Sequence, residues 1–286
     1  MKDIRGEPQE TIIEPTRGLR LFAWRELYAY RDLLWLLVWR DIAARYKQTV
    51  LGPLWYIVQP LLTTVVFSLV FARFARIPTA GVQPMLFYLA GLLGWNYFSQ
   101  TFNSTSSSLV NNAALFGKVY FPRLIVPLAG VVSNLVPLAL QFLAFGALWM
   151  AFVLAGAAAT PAPSVAICWT PAIFCHIAAL SLGTGLWLTA LATRYRDFTV
   201  VAGFLLQLWL YATPVIYPFA QIPARWRPLS VVNPMTMPVE ALRKCLIGAG
   251  SPEAGAYVLS VVATLAVLLS GLAVFRTVER TFVDVI

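Results

Sequence analysis

Acidic side chains are nearly missing from the body of this chain: between Asp41 and Glu279 only Asp197, Glu240 and Glu253 occur, each read as lying in a loop. His176 is the single histidine. No H-x-x-x-H pair, no G-x-S-x-G elbow and no acidic pair is present, so no catalytic constellation emerges. An ion-driven carrier normally places carboxylates inside the membrane, and none falls in an apolar run here. His176, alone beside Cys175, is either a functional group in the membrane or a neutral, hydrogen-bonded one. A phosphate-binding loop is lacking too: Gly117-Lys118 is the only Gly-Lys pair, with no glycine at the required spacing before it. If ATP drives this protein, another chain must bind it. The three cysteines, Cys168, Cys175 and Cys245, have no metal-ligand or CxxC spacing and suit packing.

Charge of either sign is scarce. Charged residues make up 12% of the chain and hydrophobic ones 59%, against about 25% and about 45–50% in soluble domains. That composition belongs to polytopic membrane proteins. The N-terminus carries Asp3, Glu7, Glu10 and Glu14 and lacks the short apolar core of a cleaved signal peptide. The net charge of +9 raises nucleic acid as a partner, but the cations sit at membrane boundaries, so topology explains them better and no nucleic acid is expected.

Residues 39–60 set the frame. Arg40, Asp41, Arg45 and Lys47 lead through Leu51-Gly52-Pro53 into a run without charge until Arg73. A charge at the bilayer centre costs roughly 2.5–3.5 kcal/mol on insertion scales, so the charged turn stays in the interface and the neutral run enters. Before it, residues 1–20 read as a flexible cytoplasmic tail. Residues 21–48 read as an amphipathic interfacial helix, with Trp24, Tyr28, Trp35 and Ile42 near one face and Arg25, Asp32, Arg40 and Lys47 near another. The alternative is a solvated helix packed on a partner domain.

The fold expected is an all-α integral membrane protein with six transmembrane helices, over about 50–72, 84–107, 124–154, 164–193, 198–217 and 255–275, followed by a tail at 277–286. Both termini then lie in the cytoplasm. Arg73, Arg76, Arg225, Arg227, Arg243 and Lys244 fall outside, and every other Lys and Arg falls inside, as the positive-inside bias requires. The second span carries Asn96, Gln100, Thr101, Asn103, Ser104 and Thr105; that face either packs on other helices or lines a wet cavity.

The stretch W-R-D-I-x-x-R-Y-K-Q-T-V-L-G-P-L-W with Gln59-Pro60 resembles the start of the membrane subunit of ABC type 2 exporters, in the branch that exports lipid-linked bacterial polysaccharides. Two further stretches carry the likeness: Asn111 to Pro127, and Tyr211 to Pro238 with Thr213-Pro214-Val215 and Val232-Asn233-Pro234. The resemblance implies a bacterial inner-membrane permease working as two copies with two copies of a separate ABC ATPase, which holds the ATP and magnesium. The cargo implied is a polyprenyl-diphosphate-linked polysaccharide, O-antigen first, with capsule or teichoic acid, or a drug or small lipid, as alternatives. A membrane-embedded polyprenyl-lipid transferase is the rival from another class.

Under that resemblance residues 109–123 match the loop that couples to the ATPase, with Asn112, Leu115, Phe116, Lys118 and Arg123 as its candidates. An ordinary connecting loop is the alternative. Residues 218–254 match short re-entrant outer helices before the last span, whose prolines break any long helix. Arg225, Trp226 and Arg227 are outer-gate candidates there, the arginines being equally suited to snorkelling. Arg40, Arg45 and Lys47 are candidates for taking in the cargo's pyrophosphate, or topological anchors. Tyr97, Phe98, Phe102 and Trp209 are candidates for rings lining a channel on which sugars stack.

Overall fold

A computed structural model of the chain describes residues 24–47, 49–116, 121–157, 159–160, 165–195 and 197–281. These residues form helices and their connections, with no strand among them. Four helical stretches are long and apolar enough to cross a membrane: Gly52–Phe74, Ile125–Leu154, Val165–Thr193 and Ala254–Glu279.

Six spans were expected, and the other two segments differ for separate reasons. Helix α4, Pro84–Ser106, has 23 residues, about 34 Å at 1.5 Å per residue, so its length suffices. Its second half is too polar for a lipid-facing span. Helix α10, Phe198–Ala212, has 15 residues and covers about 22 Å, short of a hydrocarbon core of about 30 Å. It stops before the expected position 217 because Thr213 precedes Pro214 and takes extended backbone with ψ 139°.

Helix α4 is the axis of the molecule. Pro84 opens it with no amide hydrogen to leave unpaired, and every residue from Leu86 to Trp95 is buried. Around it pack α3 (Trp55–Phe67), α7 (Ile125–Ser133), α8 (Leu135–Leu154), α9 (Thr170–Arg194), α10 and α12 (Thr236–Ile247). The core cluster centres on Leu86, Phe87, Leu89, Leu92, Leu93 and Phe98 of α4, joined by Ile177, Leu180 and Leu242. Helices α9 and α13 (Ala254–Thr281) run against each other through Gly183 and Gly271. A Cβ at Gly271 would sit 2.5 Å from the Gly183 carbonyl oxygen, so only glycine permits this approach.

The segments outside the bundle also differ in detail from expectation. Residues 21–48 form two helices among the described residues, α1 (Trp24–Ala29) and α2 (Arg31–Tyr46). Leu37 and Val38 of α2 are buried in a cluster with Phe121, Ile125, Val126 and Ala129, while Tyr28, Trp35, Leu36 and Trp39 are exposed. Two one-turn helices follow α4: α5 (Ser108–Asn111) and α6 (Ala113–Phe116). Between α10 and α13 lie α11 (Arg227–Val232) and α12, the latter ended by Gly248 at φ 66°. Helix α12 is buried almost throughout, from Thr236 to Arg243 without a break. Glu240, read from sequence as a loop residue, is therefore in a buried helix. The last helix continues to Thr281, into what was expected to be tail. The expected tail at 1–20 lies outside the described residues.

Candidate functional site

On α4, Asn96, Ser99, Gln100 and Asn103 repeat at helical spacing and form one stripe. The stripe opens onto a cleft of about 350 Å³ walled by Tyr56, Gln59, Pro60 and Thr63 of α3, by Asn134 and Gln141, and by Arg45 from the end of α2. Thr101 and Thr105 point the other way and are fully buried. The polar half of α4 thus does both things its sequence allowed.

Part of the cleft is a locked frame. Asn96 donates through Nδ2 to Gln141 Oε1 at 3.1 Å. Arg45 donates through Nη1 to Asn134 Oδ1 at 2.7 Å. Asn134 in turn donates through Nδ2 to Ser104 Oγ at 3.1 Å, so one buried amide joins α2, α4 and the α7–α8 break. Gln59 and Gln141 lie well inside two of the membrane-length helices, which puts these groups at membrane depth. An unsatisfied amide in hydrocarbon costs several kcal/mol, so the cleft faces water or protein rather than lipid tails. Beside it, burial and then the neighbouring Tyr56 push the Tyr46 phenol above its ordinary pKa, Arg45 acting against them; the phenol stays neutral. No group of His, Cys, Asp and Glu among the described residues could hold a metal ion.

The three pyrophosphate candidates separate. Arg45 is in the cleft wall. Arg40 is held by Asp41, at 2.8 Å, and by Asn112 Oδ1, at 2.9 Å. Lys47 caps α2 through its backbone and is exposed. The Arg40–Asn112 bond ties α2 to the turn between α5 and α6. Leu115 and Phe116 of α6 pack half-buried onto the Leu37–Val38 cluster, and Arg123 lies 5.5 Å over the Phe116 ring. Arg123 also bonds the end of α13: its backbone N–H reaches Glu279 Oε1 at 3.1 Å, and its Nη1 the Glu279 carbonyl at 2.8 Å. Lys118 lies outside the described residues.

None of the four ring candidates borders the polar cleft. Tyr97 and Phe98 are buried in the core, Tyr97 edge-on to Phe174 and Phe98 edge-on to Trp209. Phe102 and Trp209 line a separate, apolar groove of about 470 Å³ between α4, α9 and α10. Trp209 donates through Nε1 to Asn233 Oδ1 at 2.8 Å, which anchors the Asn233-Pro234 turn. Among the outer-gate candidates, Arg225 stacks on exposed Trp226 at 5.5 Å. Arg227 braces its own loop through the carbonyls of Ala220 and Ile222, each at 3.1 Å.

Sequence reasoning missed the Glu240–Arg243 pair, which is 1% and 0% exposed, with N–O 3.1 Å. Arg243 donates to the carbonyls of Pro214, Val215 and Tyr217 and lies over the Phe87 ring of α4 at 3.9 Å. Glu240 accepts from the backbone of Phe219 and Ser251. Gly91 leaves room for the guanidinium: a Cβ there would meet Arg243 Nη2 at 2.8 Å. The pair therefore binds the chain on both sides of α11–α12 to the central helix. The available signal was the i, i+3 spacing of opposite charges after a proline-marked helix start.

The fold and the cleft define a multi-pass helical membrane protein with a polar recess at membrane depth. Residues 32–247 match the ABC-2 type transporter family, and the chain belongs to that family. It is 32% identical over 198 residues to the O-antigen export system permease protein RfbA of Myxococcus xanthus, covering 69% of this chain and 73% of the relative. A permease of the same name from Klebsiella pneumoniae is 25% identical over 256 residues, with 89% and 95% covered. The polysialic acid transport protein KpsM of Escherichia coli is 24% identical over 245 residues, with 84% and 91% covered.

Proposed function

We propose that this chain is the permease subunit of an ATP-driven exporter that moves a lipid-linked polysaccharide, O-antigen first, out of the cytoplasm. The carrying observation is the cleft: amides and one arginine, held in fixed geometry at membrane depth where a lipid-facing surface has no use for them. Relatives named for O-antigen export support the cargo class. The relative named for polysialic acid transport keeps a capsule-type glycan as the second reading.

In this reading the chain sits in a bacterial inner membrane with both termini in the cytoplasm; α4, its polar half turned to the cleft and the core, and α10, continued by the residues after Thr213, complete six crossings. Two copies work with two copies of a separate ATPase, which carries ATP and magnesium. The α2 end of the cleft then faces the cytoplasm, where Arg45 meets the diphosphate of the incoming lipid. Residues 109–123 dock on the ATPase, and the Arg40–Asn112 bond carries their motion into α2. The chain supplies no chemistry of its own. Co-reconstitution with the partner ATPase into vesicles tests this: a polyprenyl-diphosphate glycan is expected to cross only with ATP and both subunits. ATP hydrolysis by this chain alone, or failure of the complete complex to move the glycan, overturns it.

A further inference from the structure

We propose that Gln59, Gln100 and Asn103 form a contact set that hydrogen-bonds the sugar hydroxyls of the cargo in transit; this rests on the export reading above. All three border the cleft, and none of their side chains has a hydrogen-bond partner among the described residues. In this they differ from Asn96, Gln141 and Asn134, which are committed to one another, to Arg45 or to Ser104. The cleft thus divides into a fixed frame and free amides in its lining.

The chemistry of the free set is selective. A primary amide carries two N–H donors and a carbonyl acceptor, so it complements a hydroxyl, which also donates and accepts. Three amides on two facing helices present such groups over both walls, without charge and without demanding one particular sugar. No carboxylate borders the cleft, so nothing in it attracts a cation or repels an anionic glycan. A second copy of the chain is the competing occupant. A concave, amide-studded wall set against its own two-fold mate encloses space rather than filling it, which favours a mobile polar occupant.

The test uses the complex with its ATPase in vesicles and two probes: a polyprenyl-diphosphate lipid carrying a neutral oligosaccharide, and the same lipid carrying one sugar. Gln59→Leu, Gln100→Leu and Asn103→Leu are made singly and together, with Gln100→Asn as the amide-preserving exchange. Losing three hydrogen bonds is expected to slow the oligosaccharide carrier about tenfold or more, with the one-sugar carrier much less affected. The exchange is expected to keep most of the rate. A cysteine placed by Ser99→Cys, with the native cysteines replaced, is expected to be shielded from a water-soluble thiol reagent by the oligosaccharide carrier. That shielding disappears in the triple variant. Equal slowing of both carriers, or no slowing, overturns the proposal. So does dissociation of the triple variant into single copies while the parent stays paired, which assigns the amides to contact between copies. A parent complex that moves neither carrier overturns the export reading and this assignment with it.

Discussion

Replacing Arg243 by methionine keeps an unbranched apolar stem but removes the guanidinium and its charge, which strands Glu240 at 1% exposure without its cation. Breaking a buried pair by deleting one partner costs about 3–5 kcal/mol, because the remaining charge is left uncompensated. The carbonyls of Pro214, Val215 and Tyr217 lose their donor in the same step. At roughly 2 °C per kcal/mol for a chain of this size, Arg243→Met is expected to lower Tm by about 6–10 °C. The double change Glu240→Gln with Arg243→Met removes the stranded charge while leaving the carbonyls as bare as before. It is expected to recover about 1–3 kcal/mol relative to Arg243→Met alone, the usual size of coupling between touching residues. The assay is thermal unfolding of detergent-solubilised protein, followed by tryptophan fluorescence and by loss of the monodisperse chromatographic peak. A single variant as stable as the parent, or a double variant less stable than the single, refutes the claim that this pair anchors the chain on either side of α12.

At the α9–α13 crossing, Gly183→Leu is expected to cost about 1–3 kcal/mol through overpacking, because a Cβ there would already lie 2.7 Å from the Leu268 backbone. Gly146→Ala, where a Cβ meets open space, is expected to be neutral or stabilising by about 0.5–1 kcal/mol in the same thermal assay. Arg123→Ala removes the guanidinium that holds the Glu279 carbonyl. It is expected to speed amide exchange over residues 276–281 about tenfold, read by mass spectrometry, with the α4 core unchanged.

Much of the fold was legible because the bilayer imposes a simple rule on composition. The neutral runs beginning near Val50, Leu124, Ser164 and Gly255 became the four membrane-length helices to within a few residues, since hydrocarbon admits little else. The fifth run misled because apolarity continues past Ala212 while the helix does not; Thr213-Pro214 ends it. The cleft was half legible. Asn96, Gln100 and Asn103 stood out as polar in an apolar context, but their separation from Thr101 and Thr105 depended on which neighbours α4 meets on each side. Tyr97, Phe98, Phe102 and Trp209 are candidates in the sequence because they neighbour polar residues or the outer-gate segment. Successive residues of a helix point about 100° apart, and the structure places these rings in the core or along an apolar groove.

By itself the sequence determined the class of this protein: a chain with too little charge for a soluble domain, four neutral runs that became membrane-length helices, and no phosphate-binding motif. Those properties are local, set by what each segment can tolerate as solvent. Only the tertiary structure decided that Glu240 and Arg243 are buried together, and that Gln59 faces Gln100 and Asn103 across a recess. Burial and pairing are properties of segments far apart in the chain, and they exist only once the helices have been brought side by side.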